Sequence, residues 1–537
     1  MAENDGGDPW DFLGASKAKA SGEPINSSAD PTTESKAEEP SAKMSISDLM
    51  PARKAAAPSA SGSSDDDAWG FLAARKADVA AREDAGEVPV ARVEKREAGE
   101  FRAEMGGVSL KRRAWPIALA LALISLAGFL TETVAAGQVL SIAGPSALLW
   151  IYPLGGLGLM IVALLQFKYV DQKARLTVLR AVGLIYAAIF AVALALVHAN
   201  VVPLIAVSVT WLLADQLNFL VPILLWSLAG DEFNVAEARR IFGWIVSCTY
   251  AGQVTGLVVA TLSPTFFGGW GVELTWLLVV NPVVCIFVAL WLPFRLKGTF
   301  AAQGTAKVES LKESLSSARD FINGVPVWRK LLLASIITFT AGSTCLIAFQ
   351  AGAGEALGGD AARIQQFFGA AALVTFVVCW LLQYFFAERI MEKCGIPGTL
   401  MILPIATVIA GIALAFGVGF QSLPFLALGL VLWFVPRWSI DENARRAALA
   451  LVPDERRTRV SFVVDLAPIS IGLIVAGPAA VIGVLLGYYW LVPATAAVLA
   501  ICALPLALSV RRGWDESLLN WRLRRRKQNR SLGLDEL

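Results

Sequence analysis

From Trp115 to about residue 510 the chain alternates between long apolar stretches and short polar connectors, and this alternation limits the fold more than any other feature. A helix needs roughly 20 apolar residues to cross a bilayer, and about twelve stretches are that long. Lipid offers no hydrogen bonds to a bare backbone, so such stretches must fold as helices that satisfy their own N–H and C=O groups. The expectation is an all-α, polytopic membrane protein. With 56% hydrophobic and 17% charged residues the composition agrees. The fourth span is expected near 201–229, the fifth near 241–262, the tenth near 420–436 and the eleventh near 461–486.

Two connectors resemble each other. Trp226-Ser227 leads through Asp231-Glu232 to Ala238-Arg239-Arg240, and Trp438-Ser439 leads through Asp441-Glu442 to Ala444-Arg445-Arg446. Each follows the fourth span of its own half, which points to a duplicated six-helix unit of the kind found in carriers. The expected division is a tail over 1–110, a first bundle over 111–297, a central loop over 298–330, a second bundle over 331–510 and a basic tail over 511–537. Asp231, Glu232, Arg239, Arg240, Asp441, Glu442, Arg445 and Arg446 are candidate gate residues, positioned to meet or part as the halves move.

Lys and Arg set the orientation, because short basic loops stay cytoplasmic. Lys111 to Arg113, Lys168 with Lys173, Arg295 with Lys297, Arg389 with Lys393, Arg456 to Arg459 and Arg522 to Lys527 all fall on one side of a twelve-span scheme. Both termini are therefore expected in the cytoplasm, with the bundle in a bacterial inner membrane and in contact with lipid.

Three acids sit where a charge is costly, at least about 2.5 to 3.5 kcal/mol near the bilayer centre. Asp215 lies mid-span, flanked by Gln216 and Asn218; Glu132 follows Thr131 near the outer end of the first span; Asp465 lies about two turns inside the eleventh. These six residues are the candidate solute or proton path. Pro222, Pro468, Gly472 and the Gly252-x-x-x-Gly256 spacing could break helices, but close packing explains the last of these better. Most of the tryptophans read as interface anchors. The cysteines are scattered singly and read as small buried hydrophobes. His198 is expected at an outer interface. No phosphate-binding loop, dinucleotide fingerprint or metal-hydrolase motif occurs, so no enzyme activity, cofactor, metal or nucleic-acid partner is expected.

The connectors also carry a family resemblance. Trp226-x-x-Ala229 with Glu237-Ala238-Arg239-Arg240-x-Phe242, and Val452-Pro453 through Arg457 to Asp465 and Gly472, resemble the ATP/ADP (nucleotide) transporters of plastids and intracellular bacteria, which are similar to the major facilitator fold. The likeness spans residues 115–510. It implies twelve helices, two pseudo-repeats and exchange of nucleotides bearing several phosphates. The sequence departs from that family where Thr131 stands in place of a lysine before the acid, and where Gly472 is followed by Leu473-Ile474-Val475 rather than a lysine. A polyphosphate needs compensating cations in a low-dielectric cavity, so weak ATP binding is expected. The first reading is thus a secondary carrier of a small organic anion, nucleotide-related in the family's manner.

The tail supports a second reading. Asp8-Pro9-Trp10-Asp11-Phe12-Leu13 and Asp67-Ala68-Trp69-Gly70-Phe71-Leu72 are copies of one motif in a Ser-, Ala- and acid-rich segment that cannot build a core. Trp10, Phe12, Leu13, Trp69, Phe71 and Leu72 are expected to bind a cytoplasmic protein partner bivalently. On this alternative the chain is a non-transporting membrane scaffold or sensor.

Overall fold

A computed structural model describes residues 110–170, 175–233, 235–296, 311–449, 452, 460 and 462–532; the tail motifs lie outside them. Among the described residues twelve helices are long and apolar enough to cross a membrane. They are α1 Leu110–Ala143, α2 Pro145–Leu165, α3 Arg175–His198, α4 Pro203–Gly230, α5 Ile241–Trp270, α6 Leu274–Arg295, α7 Pro326–Ala356, α8 Ala361–Phe385, α9 Ile402–Gly419, α10 Leu423–Leu449, α11 Val463–Leu485 and α12 Leu491–Glu516. Among the described residues there is no strand.

Several helices expose an apolar face. Exposed large apolar side chains recur on α9 at Ile405, Ile409, Ile412 and Phe416, and on α3 at Ile185, Ile189 and Val192, spacings that follow one helix face. On α6 Val283, Phe287 and Leu290, and on α12 Val498 and Ile501, do the same. In water such faces would be a liability, whereas in a bilayer they are the lipid boundary.

Small residues let the inner helices approach closely. A Cβ added at Gly256 would lie 2.5 Å from the Leu126 carbonyl oxygen, and one at Gly252 would collide with the Ala122 backbone. The Gly-x-x-x-Gly spacing therefore packs α5 against α1. Gly472 brings α11 equally close to the Phe339–Thr340 backbone of α7.

The buried core is divided unevenly. At the end holding the α1 C-terminus and the starts of α2 and α8, one cluster joins both halves, combining Val139, Leu148, Ile151 and Trp211 with Phe349, Ile364, Phe368 and Val484. At the basic end each half keeps its own. Ile117, Phe190, Leu225, Phe233 and Leu292 belong to the first half, and Phe321, Trp328, Val452, Val464 and Trp514 to the second. The halves thus share a floor at one end; toward the other they keep separate large cores, bridged by a small cluster in which Leu159, Ala163 and Leu220 meet Leu466, Ile469 and Leu473.

Two details differ from the expectation. The connector after the tenth span is helical rather than a loop: α10 passes through a π-turn at Arg437–Asp441 and continues to Leu449. A second π-turn, Phe462–Leu466, opens α11 just before Pro468. The cysteines also divide. Cys285, Cys345 and Cys379 are buried, but Cys394 and Cys502 are exposed, because their faces of the fold are peripheral. His198 packs at an α3 terminus against Trp276, with ring centroids 4.1 Å apart.

Candidate functional site

A cavity of about 150 Å³ lies between the two halves. Its walls come from α1, α2, α4 and α5 of the first half and α7, α8, α10 and α11 of the second. Glu132 of α1 and Asp215 of α4 face into it together. Asn218, one turn beyond Asp215, donates from Nδ2 to Glu132 Oε2 at 3.1 Å, so α4 orients the Glu132 carboxylate. Asp215 has no hydrogen bond or ion pair among the described residues. No Lys, Arg or His lines the cavity among the described residues.

The remaining polar groups are already engaged. The Tyr152 hydroxyl donates to Gln350 Oε1 at 3.1 Å, bridging α2 and α7 across the halves. The hydroxyls of Thr133 and Thr375 donate back to the carbonyls of Phe129 and Ala371 in their own helices. What is left is largely aromatic: Phe129 meets Phe376 edge-on, with centroids 5.0 Å apart, and Trp211, Phe349, Phe368 and Phe434 complete the walls.

Other candidates of the solute path are placed elsewhere. Thr131 is fully buried and faces away from the cavity. Gln216 accepts from the Tyr186 hydroxyl at 3.1 Å and packs beside Gly158, binding α4 to α3 and α2. Asp465 lies in the second π-turn near Arg445, away from the cavity lining.

The gate candidates form two networks, each inside its own half. In the first, Arg113 reaches both Glu232 at 3.2 Å and Glu237 at 2.9 Å, holding the start of α1 to the connector after α4. The side chains of Asp231, Arg239 and Arg240 lie outside the described set. In the second, Arg445 donates from Nε to Asp441 at 2.6 Å, while Glu442 takes Arg437 at 2.7 Å and Arg446 at 3.1 Å. Phe339 of α7 lies between two guanidiniums, Arg437 at 4.7 Å and Arg445 at 5.1 Å from its centroid. The ion pairs of the two connectors each close within one half. At the seams the contacts are neutral instead: Tyr250 donates to Gln383, and Phe219 stacks on Trp438.

Arg113, Arg437, Tyr152, Trp211, Phe349 and Gln350 were not singled out from the sequence. Gln350 alone carried a signal, being an amide in an apolar span.

No protein-family model and no curated protein matches the chain. Solved structures do. The nucleoside transporter NupG matches at a TM-score of 0.56 and 15% identity, over 74% of this chain and 100% of that one. An auto-inhibited POT family peptide transporter matches at 0.55 and 12% identity, over 74% and 96%. A POT family transporter in complex with 5-aminolevulinic acid matches at 0.52 and 12% identity, over 75% and 96%. The fold is major facilitator-like. At these identities the likeness speaks for architecture alone, and the chemistry of the site must come from its own residues.

Proposed function

We propose that this protein is a secondary carrier that moves a small organic solute through the Glu132–Asp215 cavity, by rocking its two halves about the shared floor. The observation that carries the reading is a cavity at the interface of the halves with two membrane-embedded carboxylates facing into it; the large cores at the basic end, each kept within one half, support it. Intramembrane acids facing a cavity mark solute or proton paths. By the positive-inside rule the basic end is cytoplasmic, so the conformation is inward-open, in the inner membrane of a bacterium, with both termini inside. The gate residues are then parted, and each network keeps its own half rigid while the halves move.

The anionic solute suggested by the sequence does not fit this cavity. A nucleotide with several phosphates would face two carboxylates with no cation to offset them. The likeness to nucleotide transporters therefore supports the carrier architecture and not polyphosphate exchange. The duplicated Trp10-Phe12 and Trp69-Phe71 motifs favour an added role, in which the tail recruits a cytoplasmic protein to the carrier.

The test is solute flux in proteoliposomes with wild-type protein and Asp215→Asn, which keeps the side-chain volume and removes the charge. Uptake or exchange should be lost or uncoupled from its driving ion while the melting temperature is retained. Wild-type flux in the variant would return Asp215 to a structural role.

A further inference from the structure

We propose that the solute of this cavity is a small organic cation, an ammonium group carried on a compact apolar or aromatic body. The inference rests on the carrier reading and names its substrate class. It starts from what the cavity has left to offer a ligand. The Tyr152, Thr133 and Thr375 hydroxyls and Gln350 Oε1 are bonded within the protein, which leaves Gln350 Nε2 as a donor. A sugar or another polyhydroxylated solute would need several free donors and acceptors, and would find few.

Two carboxylates remain. Asp215 carries no protein partner among the described residues, and Glu132 has one donor, Asn218. Both belong to the first half, on α1 and α4, so the negative charge is concentrated on one wall. Opposite, the second half presents Phe349, Phe368, Phe376 and Phe434. Aromatic faces attract a cation through their quadrupole and repel an anion. A neutral apolar solute would fill the aromatic side but leave two carboxylates facing it in a low-dielectric site, which is unfavourable.

An organic cation satisfies both walls at once. Its charge meets the carboxylates, and its weakly hydrated methyl or methylene groups meet the rings. Volume narrows the class further: an apolar cavity of roughly 150 Å³ accepts a benzene-sized body, and this one measures about the same. A single-ring or short-chain amine fits, whereas a nucleoside triphosphate exceeds it.

The test uses the full-length protein in nanodiscs and radiolabelled benzylamine, protonated at neutral pH, with benzoate and benzyl alcohol as anionic and neutral competitors. The cation should bind saturably, and neither competitor should displace it. Glu132→Gln and Asp215→Asn, each checked for an unchanged melting curve, should weaken binding by about tenfold or more. Glu273→Gln, which removes an exposed carboxylate beyond the cavity, should bind as wild type. Two independent cavity variants are included so that misfolding of one leaves the other decisive.

Displacement by benzoate, or wild-type affinity in both cavity variants, would overturn the inference. Counterflow of the same cation in proteoliposomes separates it from the carrier reading. Binding without counterflow would refute transport and leave the cation site standing. Counterflow of an anion or neutral solute without cation binding would do the reverse.

Discussion

The Asp441–Arg445 pair offers the sharpest energetic test of how the second half is held together. Both side chains are buried, at 1% and 5% exposure, and the Nε–Oδ2 distance is 2.6 Å. Removing one partner of a buried pair leaves an uncompensated charge and costs about 3–5 kcal/mol. The two single changes should not be equal. Arg445→Met removes the guanidinium that serves both Asp441 and Asp465 and that lies over Phe339, so it should fall at the upper end, about 4–5 kcal/mol. Asp441→Asn leaves Arg445 with Asp465 still beside it and should cost about 2–3 kcal/mol. The double variant should cost less than the sum, with a coupling of about 2 kcal/mol. Reversible denaturation of the purified protein in mixed micelles measures all four corners of this cycle. Equal single effects that add without coupling would refute the pair as the ionic clamp at the end of α10, from which Arg445 also reaches the Val464 carbonyl of α11.

Three further outcomes follow from packing, charge and sequence. Gly256→Ala should destabilise by about 1–3 kcal/mol through overpacking, since its Cβ would stand 2.5 Å from a backbone oxygen where 3.4 Å begins ordinary contact. Gly243→Ala on the same helix, with nothing within 4 Å, should be neutral in the same denaturation assay. Reporter domains inserted within 298–304 and fused after Leu537 should both read cytoplasmic; a periplasmic signal at either would reverse the orientation. Changing Trp10, Phe12, Trp69 and Phe71 together to Ala should reduce capture of a cytoplasmic partner far more than changing either pair alone, with membrane insertion unaffected, and identical partner lists would dismiss the repeat.

The helices were legible in the sequence because the bilayer imposes a length and a polarity on each, and no tertiary contact is needed to see them. The same rule exposed Glu132 and Asp215, since an acid in an apolar span is conspicuous before its surroundings are known. Asp465 was equally conspicuous, but its place depends on a π-turn, and an inserted residue in a helix redirects every side chain beyond it. The connector after α10 looked like a loop because its charges are dense. The structure keeps it helical by pairing those charges internally, at Asp441 with Arg445 and at Glu442 with Arg437 and Arg446. The aromatic walls were invisible for the opposite reason. Phe349, Phe368 and Phe376 are ordinary residues in apolar helices, and only the crossing of α7 and α8 over α1 and α4 distinguishes them from the lipid-facing phenylalanines.

The repeated connectors acquire a physical meaning from this arrangement. In each half an arginine cluster and an acidic pair end the fourth helix, and the resulting contacts stay in the same half: Arg113 of α1 pairs with Glu232 and Glu237, while Arg445 pairs with Asp441 within α10 and reaches the Val464 carbonyl of α11. Pairs buried within a half resist its deformation, because breaking them strands a charge. The seams between halves carry a phenol–amide hydrogen bond and a ring stack, Tyr250 to Gln383 and Phe219 on Trp438. A neutral hydrogen bond contributes about 1 kcal/mol net, and an aromatic pair about as much. The rocking proposed above would therefore break weak neutral contacts at the seams and spare the ionic ones inside each half. That division of labour is what two rigid bodies moving around a central solute require.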